Sequence, residues 1–567
     1  MPGDEKISDH EWRLDVESGG VGESPSPEVA GAQVAPRRNL SHARLVRPVY
    51  VVTVEHLGWL AIGMWAVLTR LLVLGAAPLG PAAAVAATLE FAISKTGRAA
   101  LDTMPAYHAA WPELLQAAMF HAVGASDASA RVIVAACSVA LIAIAFAMRP
   151  YIGRAGALSL AAMLAISPSM TYFSRTGATA VASVTFMMAA IAVAESMRSR
   201  PGLIRGVVLG CAIAMWLSAD PAGYASAAAL VVALACIGAF NLVTHDHRRL
   251  RIRVWWERRR SIAIMAIGVA IAGFVALTTA WFGYRLADVV AANFLTAFAP
   301  PRIAFARGLR ICLPILGFYE FAIAALAIVG AVAIVADKER SRFAVWSMTW
   351  AIVSTATLLT VGANRAEDVL ALLIPFAILA AFGVEALHRS EHWPSIRYGI
   401  AAFAALTIWL QLTTNFICRA PNTNEAAWNR HALLYWQTPT TSLQTRKTFE
   451  RVAQSVAADG GTTASIPRAY IPDDAPQARW YLRDFAAANA PDAAAIVVTI
   501  VGTQTGSSPG NPEPGAFGFE EWWNPDYRLL TIGRGIRYLT TQRVWSDVQI
   551  RDAKIDVRAQ SAPAAGE

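Results

Sequence analysis

The stretch YHAAWPELLQAAMFHAV, residues 107–123, decides how the rest of this chain is arranged. It resembles a membrane span, but its apolar part runs only over 114–123, and a helix needs about 20 apolar residues to cross a hydrocarbon core of about 30 Å. The choice has consequences along the whole sequence. If the stretch lies in the membrane surface, the basic loops at 149–154, 198–205, 245–260, 337–342 and 388–397 all fall on one side. That is also the side of Arg37, Arg38, Arg44 and Arg47, which precede the first hydrophobic run. If it crossed, every one of those loops would move to the opposite side. Lys and Arg concentrate on the cytoplasmic side of membrane proteins. The stretch therefore reads as an interfacial amphipathic segment, and the N-terminus as cytoplasmic.

About eleven spans remain: 51–74, 128–148, 155–173, 179–197, 203–218, 221–243, 261–282, 311–336, 343–361, 369–387 and 398–416. Composition agrees with a membrane protein. Only 16% of the 567 residues are charged and 56% are hydrophobic, with a mean hydropathy of +0.43. A soluble chain of this length needs far more charge to cover its surface. The net charge of +8 does not call for nucleic acid, because the basic residues sit between hydrophobic runs, where topology accounts for them. The most basic segment, HDHRRLRIRVWWERRR at 245–260, suits anionic headgroups and equally a plain topology signal. Cys137, Cys211, Cys236, Cys312 and Cys418 lie in hydrophobic runs or at the end of one, without metal spacing.

The expected fold class is an α-helical polytopic membrane protein with a small C-terminal α/β soluble domain. Residues 1–48 form a cytoplasmic tail, disordered over its Gly-, Ser-, Pro- and Glu-rich part, with no cleavable signal. A transmembrane domain covers 49–417, with external loops at 75–127 and 283–310. An extracytoplasmic α/β domain covers 418–560, and 561–567 is a disordered end. In the tail a helix is expected at 441–458, capped by Thr441 or Ser442. A buried strand is expected at 494–502 (AAIVVTIVG), a Gly/Pro-rich loop at 505–518, and an alternating strand or hairpin at 547–558.

Chemistry belongs where the external loops meet the outer span ends, because a lipid-linked donor presents its polar head there and keeps its tail in lipid. Tyr107 and His108 are candidates to orient a phosphate or act as base, or are interfacial polar residues. Arg175, in YFSRTG, either binds a lipid phosphate bidentately or snorkels. Asp220, before Pro221, is a ligand-binding candidate or a helix cap. Arg365, in GANRAED, pairs with Glu367 or Asp368, meets an anionic substrate, or belongs to a solvated turn. Glu55, His56 and Glu385 stand at cytoplasmic span ends. No span carries a carboxylate at its middle, so an ion or proton relay has no carrier.

The segment GASDASARVIVAACSVALIAIAFAMRPYIGRAGALSLAAMLAISPSMTYFSRTG at 124–177 carries Asp127, Ala130, Arg131, Gly153, Ser167, Pro168, Tyr172, Ser174 and Arg175. It resembles the second and third spans of lipid-phosphosugar-dependent glycosyltransferases of the GT-C fold, a pattern shared by protein O-mannosyltransferases and aminoarabinose transferases. Four further features are similar to a subfamily named for flippase-activity association in protein N-glycosylation gene neighbourhoods. They are YWQTPTTSL at 435–443, RWYLRDF at 479–485 with Trp545 beyond it, the Tyr107–His108 pair, and GFYE with Tyr319 at 317–320.

This resemblance implies transfer of a sugar from a polyprenyl-phosphate donor on the outer face of the plasma membrane. The partners are the lipid-linked sugar or glycan and membrane lipids, with no nucleic acid. Arg175 and Arg365 would hold the phosphate. Tyr107, Asp220 and Tyr319 would bind substrate, and His108 would stand near the acceptor. Such enzymes carry an acidic pair shortly after span one, as base or metal ligand, where this chain has Ala82 and Ala83. A methyl group neither takes a proton nor binds a cation, so no metal is expected, and Glu90 and Asp102 are the replacements in the same loop. The alternative is a non-catalytic relative that binds or helps to flip lipid-linked glycan. A secondary transporter is disfavoured by the lack of inverted repeats and broken helices.

Overall fold

The computed structural model describes residues 53–96, 110–244, 248–280, 301–337, 341–361, 365–389, 394–417 and, with short gaps, 440–459, 467–505 and 516–557, together with a few of 290–297. The readings for 1–48, 418–439 and 561–567, and the Ser442 cap, lie outside these residues.

The structure is mainly helical. Among the described residues, five helices are long and apolar enough to cross a membrane: Ala180–Ser199, Ala222–Ala239, Arg260–Thr278, Arg342–Thr360 and Ala366–Arg389. Two bent pairs, Arg154–Ile166 with Pro168–Thr176 and Arg310–Phe318 with Phe321–Ala336, raise the number to seven. Val132–Ala147 and Leu203–Ala219 are apolar but shorter. Ile264, Ile267, Ile271, Ile328 and Val332 lie exposed along these helices, as lipid-facing side chains do. Phe321–Ala336 meets Val369–Arg389 closely: a Cβ on Gly330 would collide with the backbone of Leu379, the small-residue contact by which membrane helices approach one another.

The bends correct the expectation of unbroken helices. Pro168 lacks an N–H and drives Ser167 out of helical geometry, to φ −58° and ψ 121°, so the helix turns by 52° there. Both fractured ends are satisfied from elsewhere. Arg70 donates to the carbonyls of Leu164 (2.7 Å) and Ala165 (3.1 Å), and Gln411 donates to Ala165 (2.8 Å). On the other side, Glu320 Oε1 accepts from the Ser167 hydroxyl (2.6 Å) and the Ser169 N–H (2.9 Å). A cation thus sits at a helix C-terminus and an anion at an N-terminus, the arrangement the helix dipoles favour. Broken backbone is tolerated at membrane depth only when it is re-satisfied in this way.

Glu320 is completely buried, which also corrects the reading that the spans hold no interior carboxylate. It stands at the second break, where the run expected as one span over 311–336 turns by 89°. Only Phe321–Ala336 continues as a straight helix, about 24 Å long at 1.5 Å per residue.

In the first external region, Pro81–Thr96 and Ala110–Val123 form two helices packed together. The latter, 14 residues long, contains the stretch that set the topology. In the second, the helix Pro301–Phe318 begins inside the expected loop.

The C-terminal part is a mixed sheet of six strands: β1 (Thr440–Thr441), β2 (Arg468–Tyr470), β3 (Ala486–Ala487), β4 (Ile496–Thr505), β5 (Ala516–Trp522) and β6 (Gln549–Val557), in the order β1-β5-β6-β4-β2-β3. The apolar run at 494–502 becomes β4, which pairs parallel with β2 and antiparallel with β6. The alternating run at 547–558 is one strand, not a hairpin, since β6 pairs with both β4 and β5. The helix Leu443–Asp459 packs Phe449 and Val452 against Ile496, Val498 and Phe519. Thr441, considered as its cap, lies in β1.

The sheet region is fastened to the spans at two places. Tyr319 and Tyr538 share a hydroxyl–hydroxyl bond of 2.6 Å, and Trp523, Tyr538 and Trp545 join the core of the helical bundle. Asp127 accepts from Trp480 Nε1 (2.7 Å) and Tyr481 Oη (3.2 Å), with Arg446 at 3.4 Å.

Candidate functional site

Three arginines hold the turn that succeeds the first helix, Val54–Leu71. Arg175 donates to the carbonyls of Thr69 (3.1 Å), Leu72 (2.7 Å) and Val73 (3.0 Å). Arg131 donates to those of Leu74 (3.0 Å), Ala77 (2.8 Å) and Pro78 (2.6 Å). Arg446 reaches Gly75 from the sheet side. Val73 has φ +52°, a conformation a β-branched residue adopts only when its surroundings impose it. Arg175 is 6% exposed at the end of the short helix Pro168–Thr176, which Gly177 terminates at φ +81°. Its guanidinium fixes the turn, so the structure gives it a scaffold position in the loop wall.

A second cluster forms where Leu203–Ala219, Ala222–Thr244, Arg342–Val361 and Val369–Arg389 end together. Asp220 terminates the first of these and precedes Pro221. Its side chain is fully buried. Oδ1 accepts from the Ala222 N–H (2.8 Å), so the capping reading holds. The same oxygen also accepts from Arg365 (2.6 Å), and Oδ2 accepts from the Thr179 hydroxyl. Arg365 contacts Glu367 at 2.7 Å and Asp368 at 3.4 Å, and its N–H donates to Asp368 Oδ2. Three carboxylates therefore surround one guanidinium among the described residues. Glu367 stands in the short turn Ala366–Asp368, ahead of the helix Val369–Arg389.

Beside this cluster lies a cleft of about 560 Å³, open mouth included, with Arg365, Asp368 and Ser226 on its polar side and Ala225, Leu358 and Leu372 on its apolar side. A cleft of this kind accepts hydrogen bonds from hydroxyl groups through the Asp368 carboxylate and meets apolar groups along its small residues.

Asp220 and Arg365 are thus brought together across 145 residues of sequence, and Arg175 is not among the cleft residues. Tyr319 is buried in the junction with Tyr538. Tyr107, His108 and Asp102 lie outside the described residues. Glu90 is buried on Pro81–Thr96, and burial, reinforced by Glu113, raises its carboxyl well above the ordinary range. Burial of this kind disfavours the ionised carboxylate. Ala82 is exposed, and Ala83 packs beside Leu79 and Trp480. Among the described residues no group of His, Cys, Asp and Glu is disposed to hold a metal ion, and Asp220 is already committed to Arg365, Thr179 and a backbone N–H.

Sequence reasoning missed Arg70, which was detectable as a charge inside the first span, a default functional or structural flag; Glu320 entered it only as the last residue of GFYE.

No family model matches the chain, and no curated protein matches it. Solved structures do. ArnT from Cupriavidus metallidurans bound to undecaprenyl phosphate superposes with a TM-score of 0.53 at 14% identity, covering 87% of this chain and 98% of that chain. Its apo state gives 0.52 at 14% identity over the same shares. The archaeal oligosaccharyltransferase AglB from Archaeoglobus fulgidus, in complex with an inhibitory peptide and a dolichol-phosphate, gives 0.45 at 13% identity, covering 78% and 65%. At such identities the likeness to ArnT establishes the fold: this is a membrane protein of the GT-C fold.

Proposed function

We propose that the protein handles a polyprenyl-phosphate-linked sugar or glycan at the outer face of the plasma membrane, as a glycosyltransferase-like protein of lipid-linked glycan or protein glycosylation. The observation that carries this reading is the cleft beside Asp220, Arg365 and Asp368. It offers the Asp368 carboxylate and the Ser226 hydroxyl to sugar hydroxyls and an apolar wall to the lipid, in a fold shared with a protein seen bound to undecaprenyl phosphate. About eleven spans would place the N-terminus in the cytoplasm and the sheet domain outside. Membership of the flippase-activity-associated subfamily belongs to the same proposal.

The acidic pair absent at Ala82 and Ala83 leaves a transferase in need of another base. Burial disfavours the ionised form of Glu90, whereas Glu367 stands beside Arg365 with its side chain only partly buried, within reach of an acceptor. Glu367, with Asp220 and Asp368 ordering Arg365, is the set we assign to catalysis. His108 and Tyr107 remain candidates toward the acceptor, with Asp102 beside them. The carboxylate excess favours the sugar, not the phosphate, as the group bound next to Arg365. The alternative, non-catalytic binding or flipping of lipid-linked glycan, is favoured by Ala82 and Ala83.

A sugar-transfer assay on purified protein in lipid, with a panel of polyprenyl-phosphate sugars, tests the proposal. Turnover lost in Glu367→Gln supports the transferase. Saturable binding of polyprenyl-phosphate sugars without turnover supports the alternative. Absence of binding overturns both.

A further inference from the structure

The helix Ile532–Thr541, IGRGIRYLTT, sits at the corner of the bundle with three different faces. At 100° per residue, Ile532 and Ile536 share one side while Arg534 and Arg537 occupy the opposite one. A third side packs on the spans. Tyr538 is buried, its ring lies 5.7 Å from that of Phe318, and its hydroxyl bonds Tyr319. The Ile532 side chain is 85% exposed and that of Ile536 57%, with Leu529, just before the helix, at 45%. Water is a poor solvent for three large aliphatic side chains on a ten-residue helix.

Placement identifies the medium that covers them. Phe318 and Tyr319 form the corner where Arg310–Phe318 meets Phe321–Ala336 at 89°. The second of these helices exposes Ile328, Val332 and Val335, as a lipid-facing helix does. Tyr527 adds a contact to the preceding segment, donating to the Arg310 carbonyl at 3.3 Å. The helix Ile532–Thr541 is therefore held by the spans themselves at the corner from which this lipid-facing helix starts.

We propose that Leu529, Ile532 and Ile536 are seated among the phospholipid acyl chains of the leaflet on which the sheet domain lies. Arg534 and Arg537 remain on the water side. The sheet domain then has a lipid contact in addition to its two protein junctions. An interfacial helix of this type buries its apolar face about 5–10 Å into the headgroup and acyl boundary, which matches a single row of aliphatic side chains. This seating requires only that the bundle spans a membrane, and is independent of the glycan reading.

The test uses the full chain in phosphatidylcholine–phosphatidylglycerol liposomes, with photoreactive benzoylphenylalanine at position 532, 536 or 534. Lipid adducts several-fold more abundant at 532 and 536 than at 534 are expected. Equal adducts at all three, no lipid adduct, or cross-links from 532 and 536 to a second copy or another protein would overturn the proposal. As a second measurement, Ile532→Ser with Ile536→Ser is expected to speed hydrogen exchange across 529–541 in liposomes, and unchanged exchange argues against lipid contact.

Discussion

Replacing Arg175 with Ala separates a scaffold from a phosphate-binding residue. The side chain donates to three carbonyls, and its loss would affect them unequally. Leu72 and Val73 are 55% and 59% exposed, so water takes over their carbonyls. Thr69 is 4% exposed, and its carbonyl is left in a buried position. An orphaned buried acceptor costs about 1–3 kcal/mol, and the packed stem of the arginine adds to that. Part is returned, because Val73 no longer has to hold φ +52°, a conformation that costs on the order of 1–3 kcal/mol. The expected net loss is about 1–2 kcal/mol, visible as a melting temperature lower by a few degrees in detergent. Thermal unfolding with and without undecaprenyl phosphate is the assay. If Arg175→Ala melts like the wild type yet loses all stabilisation by the lipid phosphate, the scaffold assignment is wrong and Arg175 is a ligand residue.

Three further outcomes are expected. If Glu367 is the base, Glu367→Gln lowers the turnover rate by about 10²–10⁴-fold, whereas an unchanged rate in the mutant would remove Glu367 from the mechanism. Glu90 has a folded-state pKa raised above its ordinary 4.5. The wild type therefore loses stability as pH climbs from 4.5 toward the raised value, because only the unfolded chain ionises freely there. Glu90→Gln is accordingly expected to raise the melting temperature more at pH 8 than at pH 5, and an equal effect at both would contradict the raised pKa. Asp127→Ala removes the acceptor of Trp480 and Tyr481, a loss of about 2–3 kcal/mol for hydrogen bonds to a charged group. Arg446, one-third exposed, adds little. Hydrogen exchange over 476–485 should speed up, and unchanged exchange would mean that the apolar contacts alone hold the junction.

The features legible in the sequence are those whose signals are local. Long apolar runs between basic loops are local, and so are the helix at 443–459 and strands β4 and β6, each set by its own periodicity. The break at Ser167 was also written locally, in Pro168, but hydropathy averaged across it and 155–173 read as one piece. The bend at Tyr319–Glu320 has no proline, and the partners of Glu320 lie 151 and 153 residues away. The same holds for the cleft. Asp220 was flagged as a cap and Arg365 as a turn residue, and both descriptions are true of their neighbourhoods. That they form one buried ion pair depends on how four helices end together, which no window of sequence records. Arg175 is read from its place at a span end, while the carbonyls it holds belong to a different segment, the turn after the first helix.

The fractured third span also says something about the order in which the molecule can be completed. Its Ala165 carbonyl is gripped by Arg70, from the first helix, and by Gln411, from the helix Pro394–Leu412. The Trp65 indole donates to the same Gln411 at 2.9 Å, while Glu320 holds the other side of the fracture. During synthesis the third span emerges with only Arg70 at hand. Glu320 arrives about 150 residues later, and Gln411 about 90 residues after that. Until then the break is a half-wet flaw that a translocating chain must shelter. Closing it ties the earliest helix to one of the latest, so the bundle locks as a whole and no partial set of its helices can reach the final packing.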